Sequence, residues 1–384
     1  MSTEHTESAR PRRAIPLISG AIAVAVVAGL LYLRAGSPTG IPGNSRVPAP
    51  IPRMSGSYSA NFDFLDPVHG WAIVLGYGES NSFWIFETKD AAAHWRQSFG
   101  GHLPSDYDYF RFGTPYVHFF DSRHGIAYAG QLLRTVDGGA HWEVVEASSG
   151  QGFLTLTSAY RGWSIRFAEG NARLYATEDG GKAWTAVSGQ LPSGFVVDAI
   201  GTPNQLAFRD TGEGWLGSSQ EVPVVYVTID GGVSWRAIRL PAQDGIAEYG
   251  TNVRLLPGDG VLVIVYAPFG AFYASLSLDH GATWRYVEFP PSPATLSDVS
   301  FVDSSHWWAS RFGYVFQTVD AGRTWTQNPR ADLPAGWNIQ PAHVIDARHA
   351  WWSMVSTTDS RETALMLTSD GGASWRAVNL PSPA

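Results

Sequence analysis

Thr368-Ser369-Asp370-Gly371-Gly372-Ala373-Ser374-Trp375 is the last copy of a pattern that also begins at Thr88, Thr135, Thr177, Thr228, Ser277 and Thr318. Its aspartates (Asp90, Asp137, Asp179, Asp230, Asp279, Asp320 and Asp370) are 47, 42, 51, 49, 41 and 50 residues apart. That spacing is the length of one small antiparallel sheet, and a period of this size marks an array of blades. Upstream of each aspartate is a second signature, a polar turn opening a strand with Gly-Trp or a relative. Asp66-Pro67-Val68-His69-Gly70-Trp71 is the clearest copy, with others at Gly125-Ile126, Gly162-Trp163, Gly214-Trp215, Trp307-Trp308 and Ala350-Trp351. Apolar runs precede and follow the aspartate, giving four short strands per repeat. The expected fold is all-β, a seven-bladed β-propeller of four-stranded antiparallel blades over residues 55–384.

Inside the turn, the Asp carboxylate can accept backbone N–H groups and the leading Thr or Ser hydroxyl can add another bond. Position five is Gly in six copies, whereas position four varies among Gly, Ala and His, so position five reads as the one needing positive φ. The first copy breaks the rule, with Ala92 at position five. Its residue must be strained or its turn must differ in shape. Trp95, Trp142, Trp184, Trp235, Trp284, Trp325 and Trp375 are expected to begin the outermost strand and fold over the blade. Seven equal copies describe a frame, so these Asp and Trp residues read as structural.

The motif Ser/Thr-x-Asp-x-Gly-x-x-Trp resembles the Asp-box of the bacterial neuraminidase repeat, over nearly the whole chain after residue 55. Families sharing it include sialidases, sortilin-type receptors, two-propeller xyloglucanases and photosystem II assembly factors. Seven evenly spaced boxes with the Gly-Trp turn are most similar to the assembly-factor type and its bacterial relatives. That resemblance implies a scaffold that binds a protein partner or assembly intermediate without catalysis. A carbohydrate-binding or sialidase-like propeller is the alternative.

The rest of the sequence limits partners and place. The formal net charge is -8 and only Lys89 and Lys182 are lysines, which disfavours nucleic acid and anionic lipid surfaces. There is no Cys, excluding disulfides, thiolate metal sites and a cysteine nucleophile. Residues 14–33 form an apolar run long enough to cross a membrane as a helix. Arg10, Arg12 and Arg13 precede it and only Arg34 follows closely, which orients the N-terminus to the cytoplasm. A cleaved signal peptide fits less well, because the run is long and Arg34 spoils the nearby small-residue site. The expected organisation is a cytoplasmic tail (1–13), a transmembrane signal anchor (14–33), a Pro/Gly/Ser-rich linker (34–54) and an extracytoplasmic propeller.

No phosphate loop, zinc-protease helix motif or Gly-x-Ser-x-Gly element occurs, and no cofactor or metal is implied. His69, His124, His306 and His349 share one register but lie in separate blades, too far apart to share an ion. Arg111, Arg166 and Arg311 each precede Phe, which invites comparison with a sialidase arginine triad. The Arg-Ile-Pro motif that should precede the first box is missing, however, and no Tyr-Glu nucleophile pair can be assigned. Strand alternation places both repeated turns on one face and the variable loops on the other, where function usually sits. The richest loop, Ser105-Asp106-Tyr107-Asp108-Tyr109-Phe110-Arg111-Phe112, carries the residue types that anchor interfaces. Tyr107, Tyr109, Arg111, Arg166 and Arg311 are the candidate binding residues.

Overall fold

The computed structural model describes residues 58–76, 81–103, 115–146, 152–168, 171–195, 206–220, 222–241, 249–266, 272–289, 299–311, 314–328, 336–358 and 362–383. The chain divides into two units, 1–47 and 48–384. The first unit lies outside the described residues, as do the expected anchor and linker. Among the described residues no helix is long and apolar enough to cross a membrane.

Seven antiparallel sheets follow one another: Tyr58–His102, Tyr116–Glu146, Gly152–Ala186, Leu206–Arg239, Tyr249–Val287, Val299–Gln327 and Trp337–Ala377, here blades 1 to 7. Each is a meander of four strands in chain order, as the sequence predicts. Blade 5 has a fifth strand, because Ser219–Gln220 from blade 4 pairs with its first strand through Ser219↔Gly250 and Gln220↔Tyr249. The registers repeat, with Gly70↔Thr88, Gly125↔Thr135, Gly162↔Thr177 and Gly214↔Thr228. The Gly-Trp turn and the aspartate turn therefore lie side by side on one face. Six blades join them through the position-four N–H: Ala91, Gly138, Gly180, Gly231, Ala321 and Gly371 donate to carbonyls of the first turn at 2.8–3.1 Å.

The Gly and the Trp of the first turn have separate jobs. A Cβ on Gly70, Gly125 or Gly214 would lie 2.1–2.8 Å from the ring of Phe64, Phe119 or Phe208, the residue ending the first strand of the same blade. Glycine leaves room for that ring. The ring then stacks on the Trp of the preceding blade: Trp71 on Phe119 at 3.5 Å, Trp163 on Phe208 at 4.1 Å and Trp351 on Phe64 at 3.7 Å. Buried faces that interlock this way place the cores between blades rather than within them.

The aspartate turn is built identically seven times. The leading hydroxyl donates to Asp Oδ1 at 2.7–3.0 Å. It also accepts the position-five N–H at 2.8–3.0 Å, while Oδ1 accepts the position-seven N–H at 2.8–2.9 Å. Ala92 sits at φ 62° in this same turn, so the first copy keeps the geometry at a strain of about 1–2 kcal/mol. The reading of position four needs correction. Ala91, His280 and Ala321 have φ of 54–59° and the glycines there 73–76°, so both central positions are left-handed. Position five is the more restricted for a steric reason. It faces the preceding blade, where a Cβ on Gly232 would lie 2.2 Å from Leu174 and one on Gly281 2.4 Å from Trp215.

These turns also receive a latch from the preceding blade. Trp71 Nε1 donates to Gly138 O, Arg134 Nη1 to Asp179 O, Trp163 Nε1 to Gly231 O and Arg285 Nη2 to Ala321 O. Asn328 Nδ2 donates to Gly371 O, and Asn379 Nδ2 closes the ring on Ala93 O at 2.8 Å. Between blades 4 and 5 the latch is a side-chain pair: His280 Nδ1 meets Glu213 Oε2 at 2.8 Å, while Trp215 Nε1 donates to Glu213 Oε1.

Candidate functional site

Most polar groups on the turn face hold the turns together. Asp230 and Asp279 are lowered from the ordinary carboxyl value to about 2, chiefly by hydrogen bonds from the Ser234 and Thr283 side chains. Asp137 is lowered to about 2 by the backbone N–H of His141 and then by its imidazole. The first-turn aspartates act similarly. Asp121 Oδ1 accepts Arg123 and His124 N–H, and Asp346 Oδ1 accepts Arg348 and His349 N–H. The histidine row therefore serves its own turns, with His124, His306 and His349 rings 2.7–2.9 Å from the aspartates three residues earlier. His69 instead meets Glu87 at 3.1 Å. Among the described residues no cluster of three or more His, Asp or Glu is arranged to hold a metal ion.

A different group gathers where the ring closes. The residues paired with the Trp register on the first strands are Asp63, His118, Thr155, Ala207, Arg254, Ser300 and His343. Three of these, from blades 1, 2 and 7, converge. Asp63 is 7% exposed, accepts Phe119 N–H at 2.7 Å, and lies 3.4 Å from His118 Nδ1 and 3.8 Å from His343 Nδ1. Burial pushes its carboxyl up, but the His118 hydrogen bond and the charges of His118 and His343 outweigh this and leave it below the ordinary value. His343 Nε2 also reaches Phe64 O at 2.7 Å. A cavity of about 210 Å³ opens beside them, lined by Asn61, Phe62, Phe64, His343, Trp351, Ser353 and Leu365. Asp63 can orient two imidazoles and stabilise their charge. The grouping is thus a buried carboxylate held between imidazoles of the two neighbouring blades. The sequence reading missed this group, although aligning the last-but-one residue of every first strand would have exposed it.

Of the residues singled out in the sequence, Tyr107, Tyr109 and Arg111 lie outside the described residues. Arg166 is in the second strand of blade 3, with its guanidinium 5.2 Å from the Tyr175 ring centroid and 4.9 Å from that of Trp184. Arg311 ends the second strand of blade 6, opposite Tyr314. The two arginines belong to different blades, and Arg166 is held against its own sheet.

No protein-family model matches the chain, and no curated protein matches it. Solved structures do resemble it. A YCF48 bound to a D1 peptide is 18% identical with a TM-score of 0.51, covering 84% of this chain and 99% of that one. YCF48 from Cyanidioschyzon merolae is 17% identical with a TM-score of 0.51, covering 84% and 97%. A prolyl endopeptidase structure is 14% identical with a TM-score of 0.54, covering 85% of this chain and 51% of that one. At such identities the likeness establishes the fold, a propeller, and nothing of the activity.

Proposed function

We propose that this chain is a membrane-anchored, extracytoplasmic propeller scaffold that binds a protein partner. The observation that carries the reading is the state of its carboxylates. Twelve described carboxylates, from Asp63 to Asp370, lie below the ordinary carboxyl value, held by backbone N–H, hydroxyl, imidazole, ammonium or guanidinium donors. A glycosidase needs one carboxyl raised so that it can donate a proton; a rigid acidic frame suits binding. A propeller of the same fold is known with a bound peptide, which supports the class of ligand by analogy of fold alone. The anchor rests on the apolar run 14–33 and its three preceding arginines. Tyr107, Tyr109 and Arg111 are proposed as interface anchors, with Arg166 and Arg311 as secondary contacts.

The test is affinity capture of the full chain from detergent-solubilised membranes. The Tyr109→Ala, Arg111→Ala double variant should lose the partner at an unchanged melting temperature, because interface anchors contribute about 2 kcal/mol or more each. His349→Ala, on the turn face of blade 7, should retain it. Loss with His349→Ala and retention with the double variant would place the working surface on the other face. Extraction of the protein by alkaline carbonate would remove the anchor.

A further inference from the structure

Among the described residues, blade 5 alone lacks a backbone bond between its two turns. In the other six blades the N–H at position four of the aspartate turn donates to a first-turn carbonyl, and that position holds Gly in four copies and Ala in two. In blade 5 it holds His280 at φ 54°, a left-handed backbone that is uncommon for residues other than glycine. The imidazole fills the gap. Its Nδ1 is 2.8 Å from Glu213 Oε2 in the first turn of blade 4, and its Nε2 is 3.3 Å from Asp259 Oδ1 in the first turn of its own blade. One side chain thus spans both junctions, turn to turn within blade 5 and blade 5 to blade 4.

The ring sits among charges of both signs. The Glu213 side chain is 10% exposed, and its Oε1 accepts Trp215 Nε1 at 2.7 Å with Arg209 Nε 3.7 Å away. Arg209 reaches on to Leu256 O and Gly260 O, the two ends of the first turn of blade 5. Asp279, the residue before His280, is lowered to about 2, chiefly by the Thr283 hydroxyl. Glu213, Asp259 and Arg209 together leave one negative charge, which a proton on His280 cancels. A neutral imidazole has one N–H and can donate to one carboxylate only, turning a lone pair to the other, whereas the protonated ring donates to both. His94 and His141, in the aspartate turns of blades 1 and 2, each pair with a single carboxylate, that of their own turn.

We infer that His280 is a proton-operated latch: protonated, it holds the aspartate turn of blade 5 to both Glu213 of blade 4 and Asp259 of its own first turn, and loss of the proton releases one of the two. The latch is complete at the acid end of the imidazole range and weakens as pH rises through it, between about pH 5 and pH 8. Arg209 keeps its charge over that range and Asp279 stays ionised. The Arg209 bonds and the core shared by blades 4 and 5 remain in place, so the change is local to the turns. It is independent of what the propeller binds.

The test is hydrogen–deuterium exchange of the full chain in detergent, corrected for the intrinsic pH dependence of exchange. Protection of residues 277–284 should fall about two- to fivefold from about pH 5 to pH 8, the range of a half-exposed ion pair. Residues 177–184 of blade 3, an aspartate turn without histidine, should hold theirs. His280→Gly, which copies four of the other turns, should keep the fold and lose the pH dependence. Asp259→Asn, at an exposed carboxylate, should flatten it as well, because an amide can serve either state of the ring. Constant protection at 277–284, an equal fall at 177–184, or a pH dependence that persists in either variant would overturn the inference.

Discussion

Replacing Gly139 and Gly232 separately by Ala makes the same chemical change at equivalent places in two turns, and the structure requires different outcomes. Both have positive φ, 89° and 96°, so either alanine meets a left-handed penalty of about 1–2 kcal/mol. Loss of glycine's freedom in the unfolded chain returns about 0.4–1 kcal/mol. At Gly139 the new Cβ would find its nearest neighbours at 3.5 Å, ordinary contact, so the net cost should be about 1 kcal/mol. At Gly232 the Cβ would lie 2.2 Å from Leu174 Cδ2. Leu174 is 2% exposed and packs with Trp163 and Ile165, leaving it little room to retreat. Overpacking adds about 1–3 kcal/mol, for a total of about 2–4 kcal/mol. Urea denaturation followed by tryptophan fluorescence measures both, with the slope checking that unfolding stays comparable. Equal costs within about 0.5 kcal/mol would refute the claim that position five is restricted by the preceding blade. Ala92→Gly supplies the reverse case. It relieves strain but removes a buried methyl worth about 0.8 kcal/mol, so stability should stay within about 1 kcal/mol of wild type.

Trp375 stacks on Trp352 at 4.2 Å, and Trp375→Ala should cost about 3 kcal/mol, seen as a lower melting temperature. The turn aspartates predict an acid limb. Because Asp230 and Asp279 are depressed from 3.8 to about 2 in the folded state, their stabilisation is complete above about pH 4 and is lost as pH falls through about 2. A melting temperature that stays flat from pH 5 to pH 2 would contradict that assignment. Asn379→Ala removes the latch on Ala93 and Asn328→Ala the latch on Gly371. Each should cost about 1 kcal/mol in chemical denaturation, and a much larger loss for Asn379 would show that the closing seam is unlike the others.

What the sequence revealed was whatever repeats as identity. Thr, Asp, Gly and Trp at fixed offsets gave the blade count, the shared face of the two turns and the conflict at Ala92. Position seven stayed hidden because its residues differ while doing one job. His94, His141, Ser234, Thr283, Thr324 and Ser374 all place a side chain 2.6–2.7 Å from Asp Oδ2. The latches were hidden for a stronger reason. Trp71, Arg134, Asn328 and Asn379 come from different places in their blades and reach carbonyls at different positions, so only the turn they latch unites them. Asp63, His118 and His343 share a register that an alignment of the repeats would show, but that they meet follows only from closure of the ring, which brings blade 7 against blade 1.

Among the described residues, the seam between blades 7 and 1 is joined by side chains alone. Blade 1 is complete from Tyr58 to His102 and blade 7 from Trp337 to Ala377, and neither lends a strand to the other. The joint between them uses the same kind of parts as the internal seams: a Trp351–Phe64 stack and an amide on a turn carbonyl. The place where the polypeptide begins is then arbitrary with respect to the ring. A circularly permuted chain, cut in any inter-blade connection and joined from residue 383 to residue 58 by a short tether, should rebuild the same disc. It would move the point where the chain enters the ring around the circumference, one blade at a time, with every turn left in place.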